Sequence, residues 1–109
     1  MQMVYYIFIN KETHSYFINR AQKPLVGVRH HFHRAGNPSR KDYDSKFYQD
    51  IRKYGYEGFI IRYSLERPVW ATVRAHYVEC DLSLEEMLAG IEEFEPKIGN
   101  TAYKETYMP

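Results

Sequence analysis

The opening residues form two apolar runs that predict a β-hairpin. Val4 to Ile9 is rich in β-branched and aromatic residues, and Ser15 to Ile18 repeats that character. A five-residue polar stretch, Asn10 to His14, separates the two runs. Two strand-like runs joined by so short a polar connection are expected to pair as antiparallel neighbours.

Helical spacing follows the hairpin. After Pro24, the segment Leu25 to Arg34 repeats its apolar residues every three or four positions, which predicts a short helix. A second helix is expected from about Asp44 to Tyr54, because Gly55 stands where a helix C-terminus favours glycine. The apolar positions that carry these two predictions are Leu25, Val28 and Phe32 in the first helix and Phe47, Ile51 and Tyr54 in the second.

The second half of the chain is less regular. Phe59 to Tyr63 predicts a third strand, and Val69 to Val78 alternates like a strand although Pro68 could equally open a helix there. The sequence Ser83-Leu84-Glu85-Glu86 is a capping box, which predicts a last helix through about Phe94. The expected fold class is therefore α+β: one domain over residues 1–109, with a small antiparallel sheet of three, or possibly four, strands flanked by helices.

Cysteine use and the N-terminus bear on location. The single cysteine, Cys80, excludes an internal disulfide framework and favours a cytoplasmic protein. The first strand-like run is too short to span a membrane and lacks the features of a secretory signal, so no membrane partner is expected.

Charge is unevenly divided along the chain. Residues 1–60 hold ten Lys/Arg and five Asp/Glu, whereas residues 61–109 hold five and nine. A basic first half favours a phosphate-bearing partner such as DNA, although the two halves could simply neutralise each other across the fold. The loop-like stretch after the first helix supplies the candidate DNA-binding residues Arg34, Arg40, Lys41 and Lys46.

The order of several short motifs resembles the GIY-YIG endonucleases. Val4-Tyr5-Tyr6 stands in the place of G-I-Y, and either Tyr16-Phe17-Ile18 or Phe17-Ile18-Asn19 stands in the place of Y-I-G. Arg29 to His33 has the R-x-x-x-H spacing of the family's first helix. The likeness spans roughly residues 3–63, and the family's late "GYN" ending is echoed only by Ala102-Tyr103-Lys104. Both signature glycines are replaced, which matters because glycine lets backbone approach a ligand closely.

The resemblance implies a catalytic constellation. Tyr6 and Tyr16 would be the tyrosine pair, Arg29 would clamp the scissile phosphate, and His33 would orient groups or transfer a proton. Glu86 would hold one divalent cation, for which Mg²⁺ is expected, with Glu79 and Glu85 as alternatives. These groups would have to converge within reach of one phosphate.

Each of these residues also has a purely structural interpretation. Tyr6 and Tyr16 could be cross-strand neighbours, and Arg29 and His33 could lie on a solvated helix face. Glu86 could be only the capping-box partner of Ser83.

Three functions remain open at this stage. The first is a divalent-metal-dependent DNA endonuclease or nicking enzyme. The second is a catalytically inactive GIY-YIG-like domain, of the kind supplied by phages or mobile elements, that binds DNA or inhibits a partner protein. The third is a general nucleic-acid binder whose tyrosines stack on bases. The oligomeric state is left open.

Overall fold

A four-stranded antiparallel sheet forms the centre of the fold in the computed structural model, which describes residues 2–72 and 76–96. The spatial order of the strands is third, first, second, fourth, so the first strand is flanked on both sides. This arrangement confirms the α+β class with an antiparallel sheet and flanking helices. The strands are β1 (Val4–Asn10), β2 (Tyr16–Ala21), β3 (Phe59–Ser64) and β4 (Tyr77–Val78).

Three α-helices flank the sheet: α1 (Pro24–Ala35), α2 (Lys46–Tyr54) and α3 (Leu84–Ala89). The first two agree with the prediction to within two residues at each end. Helix α2 begins after Ser45, whose hydroxyl accepts a hydrogen bond from the backbone N–H of Tyr48, and it ends at Gly55, whose φ of 71° is a conformation that favours glycine.

Helix α3 is shorter than predicted. It starts with the expected capping box at Ser83 but ends at Ala89, not near Phe94. The reason is that the chain beyond Gly90 turns back to the sheet, where the backbone N–H of Phe94 donates to the carbonyl of Tyr63 at 2.8 Å. The backbone N–H of Phe94 thus bonds to the edge strand β3 and not to a carbonyl one helical turn earlier in the chain.

The ambiguous segment Val69 to Val78 is mostly not a strand. Among the described residues of this segment, Tyr77 and Val78 pair with β2, while Val69 and Trp70 form a turn that is closed by a hydrogen bond from Ala71 N–H to the carbonyl of Pro68. The strand pattern is therefore confirmed at the end of the segment, and residues 73–75 lie outside the described part of the chain.

The two sides of the sheet carry different layers. On one side, Tyr6, Phe8 and Phe17 pack against α1 and α2; we call this the helical face. On the other side, Ile7, Ile9 and Ile18 pack against Met87 of α3 and against Trp70; we call this the α3 face. Alternation along β1 and β2 sends neighbouring side chains to opposite faces. The buried rings and isoleucines at the centre of the hairpin are thereby divided between the two layers.

No helix within residues 2–72 and 76–96 is long and apolar enough to cross a membrane. The extent of the domain over residues 1–109 and a cytoplasmic location stay predictions.

Candidate functional site

The structure places the two predicted catalytic tyrosines on opposite faces of the sheet. Tyr6 points to the helical face, whereas Tyr16 stands opposite Ile9 in the strand register and shares the α3 face with it. There the Tyr16 ring packs edge-on against Trp70, with ring centroids 5.0 Å apart, and its hydroxyl accepts a hydrogen bond from the backbone N–H of Thr72. The expected pairing of Tyr6 with Tyr16 is not formed.

The position facing the helices beside Tyr6 belongs to Phe17. The centroids of the Tyr6 and Phe17 rings are 6.4 Å apart, and Phe17 stacks on Phe47 of α2 at 4.4 Å. Of the two alignments with Y-I-G, Phe17-Ile18-Asn19 is thus the one whose first ring lies on the Tyr6 face. That ring has no hydroxyl.

Arg29 and Glu86 also lie on opposite sides of the sheet, because α1 covers the helical face and Met87 anchors α3 on the other. Glu86 is exposed, and its carboxylate accepts the backbone N–H of Ser83 at 3.0 Å. Hydrogen bonds from the Ser83 backbone and hydroxyl lower the pKa of Glu86. Its structural interpretation as a capping-box residue is the one that the geometry supports.

His33 is exposed on α1, one turn from the half-buried Arg29. The histidine that does enter the protein is His31, which is 8% exposed and lies on the buried stripe with Leu25, Val28 and Ala35. The position of His31, three residues after Val28, places it on the apolar stripe of α1 and could have been recognised from the sequence. The R-x-x-x-H motif lies on the neighbouring face of the same helix.

His31 is the centre of a buried hydrogen-bond network. Its Nε2 atom lies 2.9 Å from the Tyr6 hydroxyl, and its Nδ1 atom lies 2.8 Å from the Tyr48 hydroxyl. A neutral imidazole has one donor and one acceptor nitrogen, so one tyrosine donates to His31 and the other accepts from it. We call these three residues the Tyr–His–Tyr network; it connects β1, α1 and α2.

Burial sets the protonation of this network. It lowers the pKa of His31 to about 4, with a further contribution from the positive charge of Arg34, and it raises the pKa of Tyr6 to about 12. At neutral pH the imidazole is therefore uncharged and the phenol keeps its proton. A phenol in this state is a poor general base.

Close packing holds the network in place. Gly27 lets α1 approach β1, since a Cβ atom at this position would lie 3.0 Å from the Tyr6 ring. Tyr6 and Tyr48 are 4% and 3% exposed, respectively. In this arrangement the network orients α1 and α2 on the sheet, and its hydroxyls do not face solvent.

The predicted DNA-binding residues all belong to one layer, formed by α1, α2 and the connecting residues 36–45, which we call the helical layer. Burial raises the pKa of Tyr48, and the half-buried Arg34 near the end of α1 counteracts that rise. Arg40 forms a fork with Asp42, with Nε–Oδ1 and Nη2–Oδ2 distances of 2.9 and 3.4 Å. Lys41 is exposed beside it.

Lys46, the fourth predicted basic residue, is paired with a buried carboxylate. Its Nζ atom lies 2.9 Å from Asp50 Oδ1, while Asp50 Oδ2 accepts hydrogen bonds from the Tyr77 hydroxyl at 2.8 Å and from Asn10 Nδ2 at 3.4 Å. The Asp50 side chain is only 2% exposed. The sequence carries one signal for this centre, the i, i+4 spacing of Lys46 and Asp50.

Candidate metal ligands are sparse in the part of the chain that the structure describes. No group of three or more His, Cys, Asp or Glu side chains there could hold a metal ion together. Glu79 and Glu85, the alternatives to Glu86, are exposed; Glu79 directly follows β4 and Glu85 lies on α3. The echo of the family's late motif at Ala102-Tyr103-Lys104 lies outside the described residues.

Charge divides between the layers. Residues 24–54, which form the helical layer, carry seven Lys/Arg and three Asp, whereas residues 76–96, which include α3, carry seven Asp/Glu and no Lys or Arg. The helical layer is thus basic and the segment 76–96 is acidic, with one of its carboxylates, Glu93, paired with Arg62 of β3 at 3.6 Å. No protein-family model matches the chain, and neither a curated protein nor a solved structure does.

Proposed function

We propose that this protein binds the phosphate backbone of nucleic acid, DNA in the first instance, through its helical layer, and that it is a GIY-YIG-like domain without the family's catalytic centre. The observation that carries this proposal is the separation of charge across the sheet. A surface with clustered Lys and Arg attracts a polyanion and releases the counterions condensed on it.

The form of the basic surface supports a backbone contact and not a base-specific one. Arg40 and Lys41 lie in the connection between two helices, and Arg52 spreads its guanidinium over the Tyr43 ring at 3.8 Å. These side chains offer charge and planar hydrogen-bond donors to phosphate oxygens. Little intrinsic sequence preference is expected from such contacts.

The distribution of the expected catalytic groups supports binding without cutting. Phosphodiester hydrolysis needs an activated water and charge neutralisation at one phosphate. Here the ring hydroxyl of Tyr6 is buried, and Glu86 lies beyond the sheet from Arg29.

A second candidate is the endonuclease itself, and one feature favours it. The helical layer keeps an arginine and a carboxylate in direct contact at an exposed position, Arg40 and Asp42. A nicking enzyme built there would use Asp42, not Glu86, as the ligand of a Mg²⁺ ion.

Fluorescence anisotropy of a short labelled duplex tests the binding proposal. Affinity should fall steeply as salt rises from about 50 to about 200 mM, because several phosphates are neutralised at once. The same strand without its complement measures any preference for single strands. Salt-insensitive binding, or none, would contradict the proposal, and stoichiometric capture of a protein without DNA binding would favour the inhibitor alternative.

Incubation with supercoiled plasmid and Mg²⁺ separates binding from cutting. The wild type, Arg29→Ala, Glu86→Ala and Asp42→Asn should all leave the plasmid intact. Nicking by the wild type that Asp42→Asn abolishes and Glu86→Ala does not would support the second candidate. Nicking that is lost in both Arg29→Ala and Glu86→Ala would restore the constellation implied by the resemblance.

A further inference from the structure

The pairing of Arg40 with Asp42 has the geometry of an anion-binding site. Both contacts run from one edge of the guanidinium to the two oxygens of one carboxylate, at 2.9 and 3.4 Å. A phosphate presents two oxygens to an arginine in the same way. The Asp42 carboxylate therefore occupies the position that a phosphate group would take on Arg40.

The positive charge of a second arginine also reaches this carboxylate. Hydrogen bonding from Arg40 is the main cause that lowers the pKa of Asp42, and the positive charge of Arg34 lowers it further. The carboxylate is thus held by Arg40 and also lies in the field of a second guanidinium group.

We propose that Arg40 forms a phosphate subsite in the helical layer, and that Asp42 is its built-in counter-ion, displaced when a phosphate binds. This inference rests on the proposed binding of nucleic acid, and it names Asp42 as the residue that regulates that binding. The ligand class is a phosphate group with two free oxygens, which a nucleic-acid backbone supplies.

The Asp42 carboxylate can be displaced because its pairing with Arg40 is exposed to solvent. The side chains of Arg40 and Asp42 are 39% and 43% exposed, so water and salt already weaken their pairing. The other acid–base pair of the helical layer is the opposite case, because Asp50 is buried and held by Tyr77 as well as by Lys46. Lys46 is consequently tied to the fold, and Arg40 is the cation that can change partner.

The test compares two isosteric substitutions that change the net charge equally. Asp42→Asn removes the counter-ion of Arg40, and Asp44→Asn removes an exposed carboxylate two positions away that is not part of the Arg40 fork. Both variants should keep the far-UV circular dichroism of the wild type. Duplex affinity of Asp42→Asn should exceed that of Asp44→Asn by about two- to fivefold, the range set by the strength of an exposed ion pair.

A second background identifies the partner. In Arg40→Gln, the substitutions Asp42→Asn and Asp44→Asn should raise duplex affinity equally, because the guanidinium that forms the fork with Asp42 is absent. An advantage of Asp42→Asn that persists in Arg40→Gln would overturn the inference. Equal effects of the two substitutions in the wild-type background would also overturn it, while leaving binding through the helical layer intact.

Inorganic phosphate keeps the inference separable from the proposed function. In nuclear magnetic resonance titrations, the Arg40 Nε–H signal should respond to phosphate at lower concentration in Asp42→Asn than in Asp44→Asn. That result without any binding of DNA would retain the subsite and reject nucleic acid as its ligand. Identical responses in the two variants would reject the subsite whatever the DNA measurements show.

Discussion

The two faces of the sheet differ in what they bury and in the charge above them. The helical face buries rings and a hydrogen-bonded polar network centred on His31, under a layer rich in Lys and Arg. The α3 face buries the aliphatic side chains of Ile7, Ile9 and Ile18 under an acidic segment. The same two strands supply both faces, since successive residues alternate between them.

This difference decides how the tyrosines of the hairpin are interpreted. Tyr6 and Tyr16 look like a pair in the sequence, but their side chains project from opposite faces of the sheet. The sheet therefore separates the two hydroxyls, which cannot contact the same phosphate. The helical face is the one that combines polar groups with a basic surface. The helical face is therefore the candidate for the functional surface.

The largest expected effects come from truncating adjacent residues of β1 that point to opposite faces. Phe8→Ala should lower the free energy of unfolding by about 3–5 kcal/mol and Ile7→Ala by about 2–5 kcal/mol, because both side chains are fully buried. Native-state hydrogen exchange should accelerate mainly in α1 and α2 for Phe8→Ala and mainly in α3 for Ile7→Ala. The same exchange pattern in both variants would contradict two separate layers.

Acid should act on the helical face through His31. Its pKa is lowered from 6.5 to about 4 by burial, so the folded protein binds fewer protons than the unfolded chain in that range. This contribution to stability, on the order of 2–4 kcal/mol, is fully present above pH 6.5 and is lost as the pH falls towards 4.

Urea denaturation at several pH values checks this prediction. His31→Gln should flatten the dependence of the unfolding free energy on pH between 6.5 and 4, whatever its effect at pH 7. His33→Gln is the matched control, because His33 is exposed on the same helix, and it should leave the slope as in the wild type. An unchanged slope in His31→Gln would mean that folding does not lower the pKa of His31.

A smaller effect is expected when one hydroxyl of the network is removed. Tyr6→Phe leaves His31 Nε2 without its partner in a buried site, which should cost about 1–3 kcal/mol of unfolding free energy. Tyr56→Phe, at a half-buried tyrosine near α2, is the control and should cost less. Equal costs would indicate that water reaches the network.

The smallest effect is expected at the capping box on the other side of the molecule. Ser83→Ala removes the side chain that accepts the Glu86 N–H and should cost about 1 kcal/mol. The change in hydrogen exchange should be confined to α3. Spread of that change to α1 would show that the two layers are coupled.

The sequence was sufficient for the elements and insufficient for the site. The hairpin, α1, α2 and β3 follow from local spacing, turn residues and capping, all of which act within a few positions. The length of α3 does not, because its end is set by a hydrogen bond to Tyr63, a residue distant in the sequence.

Strand register explains why the sequence alone could not show which hairpin residue lies beside Tyr6. A shift of one position moves a side chain to the opposite face, and the alignment with Y-I-G left two registers open. Pairing of Tyr6 with Asn19 and of Phe8 with Phe17 selects the one that places Phe17 next to Tyr6. Similarly, Asp50 accepts a hydrogen bond from the Tyr77 hydroxyl, a contact that local sequence could not indicate because tertiary packing brings β4 to α2.

Duplex affinity after neutralising each side of the molecule tests the central claim most directly. Lys41→Gln with Lys53→Gln removes two exposed cations from the helical layer, and Glu85→Gln with Glu92→Gln removes two exposed carboxylates from the acidic segment. The lysine pair should weaken binding and reduce the slope of log affinity against log salt by about two, while the glutamate pair leaves the slope unchanged. A salt slope that stays at the wild-type value in the lysine variant would contradict binding through the helical layer.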